Sequence, residues 1–184
     1  MIDKPDAPAK RVRKEPDNQQ CREHFKRLTE EKNGSPFKAS VGDKETDQYM
    51  KAKLKELLNI ACKSSNVKQD RVLEIMAGCG RNYSVLKEYF HNIEMLDCTP
   101  KMVEKHNKSV DSYCASVQDF DWPWDKYNCI VGCWALCYLD INEREILRGD
   151  IDTALNDSGV YIMIEPVMRV DESDDWRFNP WTEQ

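Results

Sequence analysis

Gly78 and Gly80 follow the short apolar run Val72-Leu73-Glu74-Ile75-Met76 and precede Arg81 and Asn82. An apolar run that feeds a small-residue turn and then a segment of helical spacing is how an α/β sheet opens a nucleotide site. Glycine lets the backbone come close to a ligand, and the start of the next helix offers free N–H groups. Asp97 ends the next apolar run, Ile93 to Leu96, at the roughly 20-residue distance from the turn that such sites use. An ionised carboxylate has only acceptors and presents two oxygens, so Asp97 is placed to take two ribose hydroxyls. Trp134 comes just after another apolar run, Tyr127 to Gly132, at the edge where open α/β sheets bind ligands. There an indole either walls off a substrate or fills core. Cys129, Cys133 and Cys137 recur every fourth residue, a spacing that aligns ligands on a helix. Cys129 belongs to a strand and no His lies nearby, so no metal site is read from them.

The elements that must position these residues follow from periodicity. Tyr49, Met50, Leu54, Leu57, Leu58 and Ala61 share one face of a helix over Asp47 to Cys62. A strand over Arg71 to Met76 leads into the glycine turn, and a helix runs from about Asn82 to Phe90. After the strand Ile93 to Leu96, Thr99 caps a helix that has Pro100 in its first position. Short strands at Tyr113 to Ser116 and Tyr127 to Gly132 come next, and a helix runs from Asn142 to Leu155. Asn156-Asp157-Ser158-Gly159 reads as a turn into a last strand, Val160 to Ile164. The alternation predicts an α/β fold with a doubly wound parallel sheet.

Residues 1–40 read as a basic, flexible tail with a short helix between Cys21 and Lys32, and residues 41–184 as the folded domain. The tail holds ten Lys or Arg against seven Asp or Glu, and the remainder 17 against 26. An acidic body argues against broad nucleic-acid binding and suits a basic peptide partner, or serves solubility alone. The tail cluster Lys10-Arg11-Val12-Arg13-Lys14 reads as solvated, as a localisation signal or as a contact for an acidic partner. No apolar run approaches the roughly 20 residues of a membrane span, and no secretory signal is visible. The eight cysteines have no C-x-x-C spacing and fall mostly in strands and helices. Buried free thiols in a reducing compartment, cytoplasmic or nuclear, are the expectation.

The run LEIMAGCGRN, followed by IEMLDCTPKMVEK, resembles the first two cofactor motifs of class I S-adenosylmethionine-dependent methyltransferases. Ser116-Val117-Gln118-Asp119-Phe120 resembles the third motif, and Asn128 to Leu139 the fourth strand with its loop. Gln-Asp-Phe and the strand-Trp pattern are similar to those of the protein α-N-terminal methyltransferases. The resemblance covers about residues 45–170 and implies S-adenosylmethionine as cofactor. It implies Gly78 and Gly80 against the methionine end, with Glu74 holding the amino group or the loop. Arg81 would pair with the cofactor carboxylate or form a surface salt bridge. Asp97 would hold the ribose, with Cys98 and Thr99 along the adenine or ribose edge. Gln118 would lie beside the adenine amino group or be an exposed loop amide. The implied reaction is methyl transfer to a protein amine, at an N-terminus or Lys.

The chain departs from that family where the amine is bound. Glu165-Pro166-Val167 stands where an Asp-Asn pair follows the fifth strand, and Tyr138 where a His is expected. Glu165, Tyr138 and Trp134 remain as candidates for the catalytic site. A non-catalytic relative that stabilises a partner is the competing reading, and a small-molecule methyltransferase the third. The C-terminal antiparallel strand pair of the family is also missing from the sequence, so the chain reads as a truncated product or as one completed by a partner. Trp176, Phe178 and Trp181, beyond the acidic stretch 171–175, would lie in a protein–protein contact or fold back over the sheet.

Overall fold

A computed structural model of the chain describes residues 44–64 and 67–165. The short helix expected between Cys21 and Lys32, the basic cluster at 10–14, Pro166 and Val167, the acidic stretch and Trp176, Phe178 and Trp181 lie outside the described residues. The elements in order are α1 (Lys44–Ser64), β1 (Arg71–Ile75), α2 (Tyr83–Leu86), β2 (Asn92–Asp97), α3 (Pro100–Val103), β3 (Asp111–Cys114) and β4 (Tyr127–Cys133). A 3-10 turn at Leu136–Tyr138, α4 (Ile141–Ala154) and β5 (Leu155–Ile164) complete the series. The five strands pair in the order β3-β2-β1-β4-β5, all parallel. Among the described residues no helix is long and apolar enough to cross a membrane.

A parallel sheet is covered on both faces, so its central strands read as near-continuous apolar runs. Their alternate side chains feed two cores. On one face Val72, Ile93, Met95, Cys129 and Val131 pack with Leu54 and Leu58 of α1 and with Val85, Leu86 and Phe90. On the other, Leu73, Ile75, Leu96, Tyr127 and Ile130 pack with Leu147, Ile151 and Ala154 of α4.

Several expectations need correction. Tyr49, assigned to the apolar face of α1, is 63% exposed, because the buried stripe of that helix is Met50, Leu54, Leu58 and Ala61. The helix after the glycine turn is a single turn, continued to Phe90 by mixed i−3 and i−4 backbone bonds. Thr99 occupies the N-cap of α3 in extended conformation but makes no capping bond with its side chain. The helix expected from Asn142 begins one residue earlier, at Ile141: Asp140 is the cap, and it forms a reciprocal capping box with Glu143. The turn expected at 156–159 lies inside β5. Tyr127 pairs with Leu155 while Cys129 pairs with Val160, so the four turn-type residues bulge out of the ladder. A Cβ on Gly159 would sit 3.0 Å from the Tyr127 carbonyl oxygen, which explains glycine in the bulge.

Candidate functional site

The strand order reverses between β1 and β4: the chain leaves β1 toward β2 and β3, then crosses back to β4 and β5. The crevice at the carboxyl ends of such a strand pair is where open α/β sheets bind ligands. Backbone strain gathers there. Met76, just past β1, has φ +50°, and Trp134, just past β4, has φ +56°; neither is glycine. Left-handed conformations in bulky residues persist only where the surroundings impose them, and they cluster at functional sites. Gly78 (φ +56°) and Gly80 (φ +71°) continue the same turn without that penalty.

Three side chains hold this turn. Asp97 accepts the Gly78 amide on Oδ2 and the Thr99 amide on Oδ1, both at 2.8 Å. The Thr99 side chain bonds to the same carboxylate. Burial pushes the Asp97 carboxyl up, and the amide bonds from Thr99 and Gly78 oppose the shift. His106, buried, lies 2.8 Å from the Gly78 carbonyl through Nε2 and 2.9 Å from Ser112 Oγ through Nδ1. A carbonyl only accepts, so Nε2 carries the hydrogen that this bond needs. A Cβ on Gly80 would come within 3.1 Å of His106 Cδ2 and of Met95 Sδ, so the imidazole also sets the floor of the turn. The third is Asn82, whose Nδ2 donates to Glu74 Oε1 at 2.6 Å.

Glu74 is 2% exposed and Asn82 1%. Glu74 Oε2 and Asn82 Oδ1 are buried without a hydrogen-bond partner among the described residues. Burial pushes the Glu74 carboxyl up to about 7, against the opposing effects of Asn82 and Arg81. Arg81 is ion-paired at 3.0 Å to Asp47 of α1, and both side chains are buried, so the pair is not a surface salt bridge. Asp47 Oδ2 also accepts from Lys51.

The remaining predicted residues fall into two groups. Cys98 and Thr99 lie side by side at the end of β2, half-buried and buried, 3.8 Å apart through Sγ and Oγ1. Gln118 is buried rather than an exposed loop amide, and its Nε2 donates to Glu143 Oε1 at 3.0 Å. At the ends of β4 and β5, Trp134 and Tyr138 are half-buried, and the Trp134 amide donates to the Ile164 carbonyl at 2.8 Å. Glu165 Oε1 accepts from the Ala135 and Leu136 amides at 2.8 and 2.9 Å. It therefore ties the end of β5 to the loop after β4. Cys133 feels both Glu74 and Glu165, so this group adjoins the glycine turn; burial first, then Glu74, pushes its thiol up to about 12. Asp47, Asn82, His106 and Glu143 are the participants that sequence reasoning missed.

In sequence the chain matches no family model and no curated protein. In structure it is similar to a SAM-dependent methyltransferase from Leishmania major, with a TM-score of 0.63 and 17% identity over 79% of this chain and 59% of that one. The fold is that of the class I S-adenosylmethionine-dependent methyltransferases. The same methyltransferase fold relates it to Haemonchus contortus phosphoethanolamine N-methyltransferase 1, solved with phosphoethanolamine and S-adenosylhomocysteine (TM-score 0.59, 17% identity, 84% of this chain and 34% of that one). A sugar N-methyltransferase, KedS8 from Streptoalloteichus, is also similar (TM-score 0.54, 15% identity, 63% of this chain and 47% of that one). The chain thus spans less than two thirds of the length of each of these proteins.

Proposed function

We propose that the chain binds S-adenosylmethionine at the carboxyl edge of β1 and β2 and serves methyl transfer to a protein amine, at an N-terminus or Lys. The observation that carries the cofactor reading is the Gly78–Gly80 turn, held in left-handed conformation over the Asp97 carboxylate at the point where strand order reverses. The residues fit the cofactor in a second respect: the unpartnered acceptors on Glu74 and Asn82 suit a donor-only group. Bound there, the cofactor supplies an electrophilic methyl on a sulfonium. Gly78 and Gly80 would let the backbone approach its methionine end, and the Asp97 carboxylate would accept from the ribose. Cys98 and Thr99 would lie along the same edge, and Gln118 near the base. Arg81 would serve a carboxylate with the donors that Asp47 leaves to it. Methyl transfer needs a neutral nitrogen in line with the sulfonium and little more from the protein. Trp134 and Tyr138, at the adjoining strand end, are the side chains to line that nitrogen's approach. Two of the similar structures are named as N-methyltransferases, which supports a nitrogen acceptor. The acidic balance of residues 41–184 supports a basic peptide. The finer likeness to the protein α-N-terminal methyltransferases rests on the Gln118-Asp119-Phe120 and Trp134 motifs.

Calorimetry with S-adenosylmethionine and its demethylated product tests the cofactor reading. Asp97→Ala should weaken binding by roughly 1.5–3 kcal/mol, the loss of a hydrogen bond to a charged group. Absence of binding at millimolar ligand sinks it. A second reading is a non-catalytic subunit that keeps the fold and stabilises a partner. It is supported by Glu165, whose Oε1 accepts from two loop amides and so ties the end of β5 to the loop after β4. Transfer of a radiolabelled methyl group to proteins of an extract favours the enzyme; cofactor binding with no transferred label favours the subunit.

A further inference from the structure

We infer that a cavity at the amino edge of the sheet takes the guanidinium of an arginine on a partner protein. The cavity lies between the loop before β4 and the bulge that opens β5, and has a volume of about 280 Å³. The seven residues of β4, roughly 20 Å of strand, separate it from the carboxyl edge where the glycine turn lies. The inference therefore stands apart from the cofactor reading.

One wall of the cavity is Trp124, which is 44% exposed, whereas the indoles of Trp122 and Trp134 are half-buried. The ring is not on a loose loop. The next two amides, of Asp125 and Lys126, donate to the Thr153 and Ala154 carbonyls at the end of α4, at 3.1 and 2.9 Å. The other walls supply acceptors. Asp152 and Asp157 bring carboxylates, and Thr153 gives its hydroxyl hydrogen to the Gly149 carbonyl at 2.8 Å, which leaves its oxygen to accept. No Lys, Arg or His lines the cavity. The last turn of α4 has no basic residue and carries Asp152 where the helix dipole favours a cation. The chain's own cations do not answer that charge. Lys126 turns inward to Glu94 at 2.6 Å, and Arg148, one turn back on α4, makes no ion pair with Asp152 among the described residues.

An exposed indole beside carboxylates is the complement of a cation. The guest is a donor-only group, because every polar side chain named here accepts. Arginine fits better than lysine. Its planar guanidinium lies flat on an indole and carries five donors for acceptors on separate walls, while an ammonium is compact and strongly hydrated. The volume falls short of the roughly 300–1,000 Å³ of pockets that hold a whole small molecule, so one side chain of a larger partner is the guest. The acidic balance of residues 41–184 favours the approach of such a partner.

The test titrates the full chain with the capped tripeptide acetyl-Gly-Arg-Gly-amide while proton–nitrogen NMR follows the Trp124 indole N–H, assigned by its loss in Trp124→Phe. That signal and the Thr153, Leu155 and Asn156 amides should move together and saturate in the millimolar range. The same tripeptide with citrulline, neutral and nearly the same shape, should bind at least about tenfold more weakly, and the lysine tripeptide about threefold more weakly. Asp152→Asn, a change at an exposed position, should weaken the arginine tripeptide by about threefold or more, and so should 0.5 M salt, roughly, on the unsubstituted chain. Equal binding of the citrulline and arginine tripeptides, or no saturable shift at Trp124, overturns the inference. So does a free chain carrying Arg11→Gln and Arg13→Gln in which the Trp124 signal has already moved without peptide, since the chain's own basic segment would then be the guest.

Discussion

At the residue scale, His106 carries a role that no local pattern announces. It donates to the Gly78 carbonyl, a bond that spans 28 residues, and its ring lies under Gly80. Removing the donor leaves a buried carbonyl unpaired and the turn free to move. His106→Ala should therefore cost about 1–3 kcal/mol of stability and, on the function proposed above, weaken S-adenosylmethionine binding in the same experiment. His106→Gln places an amide N–H near the position of Nε2 and should recover most of both. Thermal melts beside calorimetry check this; an alanine variant with unchanged affinity would show that the turn keeps its shape without the imidazole. The contrast with Asp97 explains what the sequence could reveal. Gly78, Gly80 and Asp97 were legible because a turn followed by a strand-end acid is a local pattern of fixed spacing. Asp47, 34 residues from the Arg81 it binds, and His106 were not, because their partners are chosen by packing. Arg81 shows the same limit: its charge was legible, and the helix that holds it was not.

At the element scale, strands were easier to read than the ends of helices. Both faces of β1, β2 and β4 are covered, so burial of nearly every residue marks them as unbroken apolar runs. The start of β5 was misread because Asn156 to Gly159 carries turn chemistry, and a bulge uses the same residue types as a turn. The start of α4 was placed to within one residue, but its cap was missed although Asp140 and Glu143 have the spacing of a capping box. That box joins the helix to the site, because Glu143 accepts the Asp140 amide on one oxygen and the Gln118 side chain on the other. Asp140→Ala should lower stability by about 1 kcal/mol, seen as a lower midpoint in urea at unchanged slope. A change in the slope would mean that α4 no longer folds with the rest.

At the scale of the whole molecule, two buried carboxylates give the chain opposite responses to pH. Glu94 lies under the amino end of the sheet and accepts from Lys126, Tyr127, Tyr113 and Arg71. Burial alone would raise its carboxyl, but the bonds from Lys126 and the two tyrosines outweigh burial and hold it below its usual value of 4.5. Its contribution is present above that value and is lost as pH falls through the depressed one. Glu74 behaves in reverse. Its carboxyl is raised from 4.5 to about 7, so the ligand-free fold is favoured at the lower value and loses stability as pH climbs through that interval. Melting temperature plotted against pH should fall on both flanks. Glu94→Gln should flatten the acid flank, and Glu74→Gln the flank toward neutrality; a Glu74→Gln profile that still declines there would place the cause in another group.

The all-parallel strand order also has a consequence for how the chain reaches this state. No two neighbouring strands in the sheet can form a hairpin, and each pairing must wait for an intervening crossover. The bond from the Arg71 amide to Asn128, at the junction of β1 with β4, closes over 57 residues. Until β4 has been synthesised, the central strand presents one bare, strongly apolar edge to every other nascent chain nearby. Parallel sheets of this kind are slow to form, because loop closure must precede the pairing that rewards it. The interval before β4 docks is therefore the period of greatest exposure to aggregation, and the time when a chaperone would matter most.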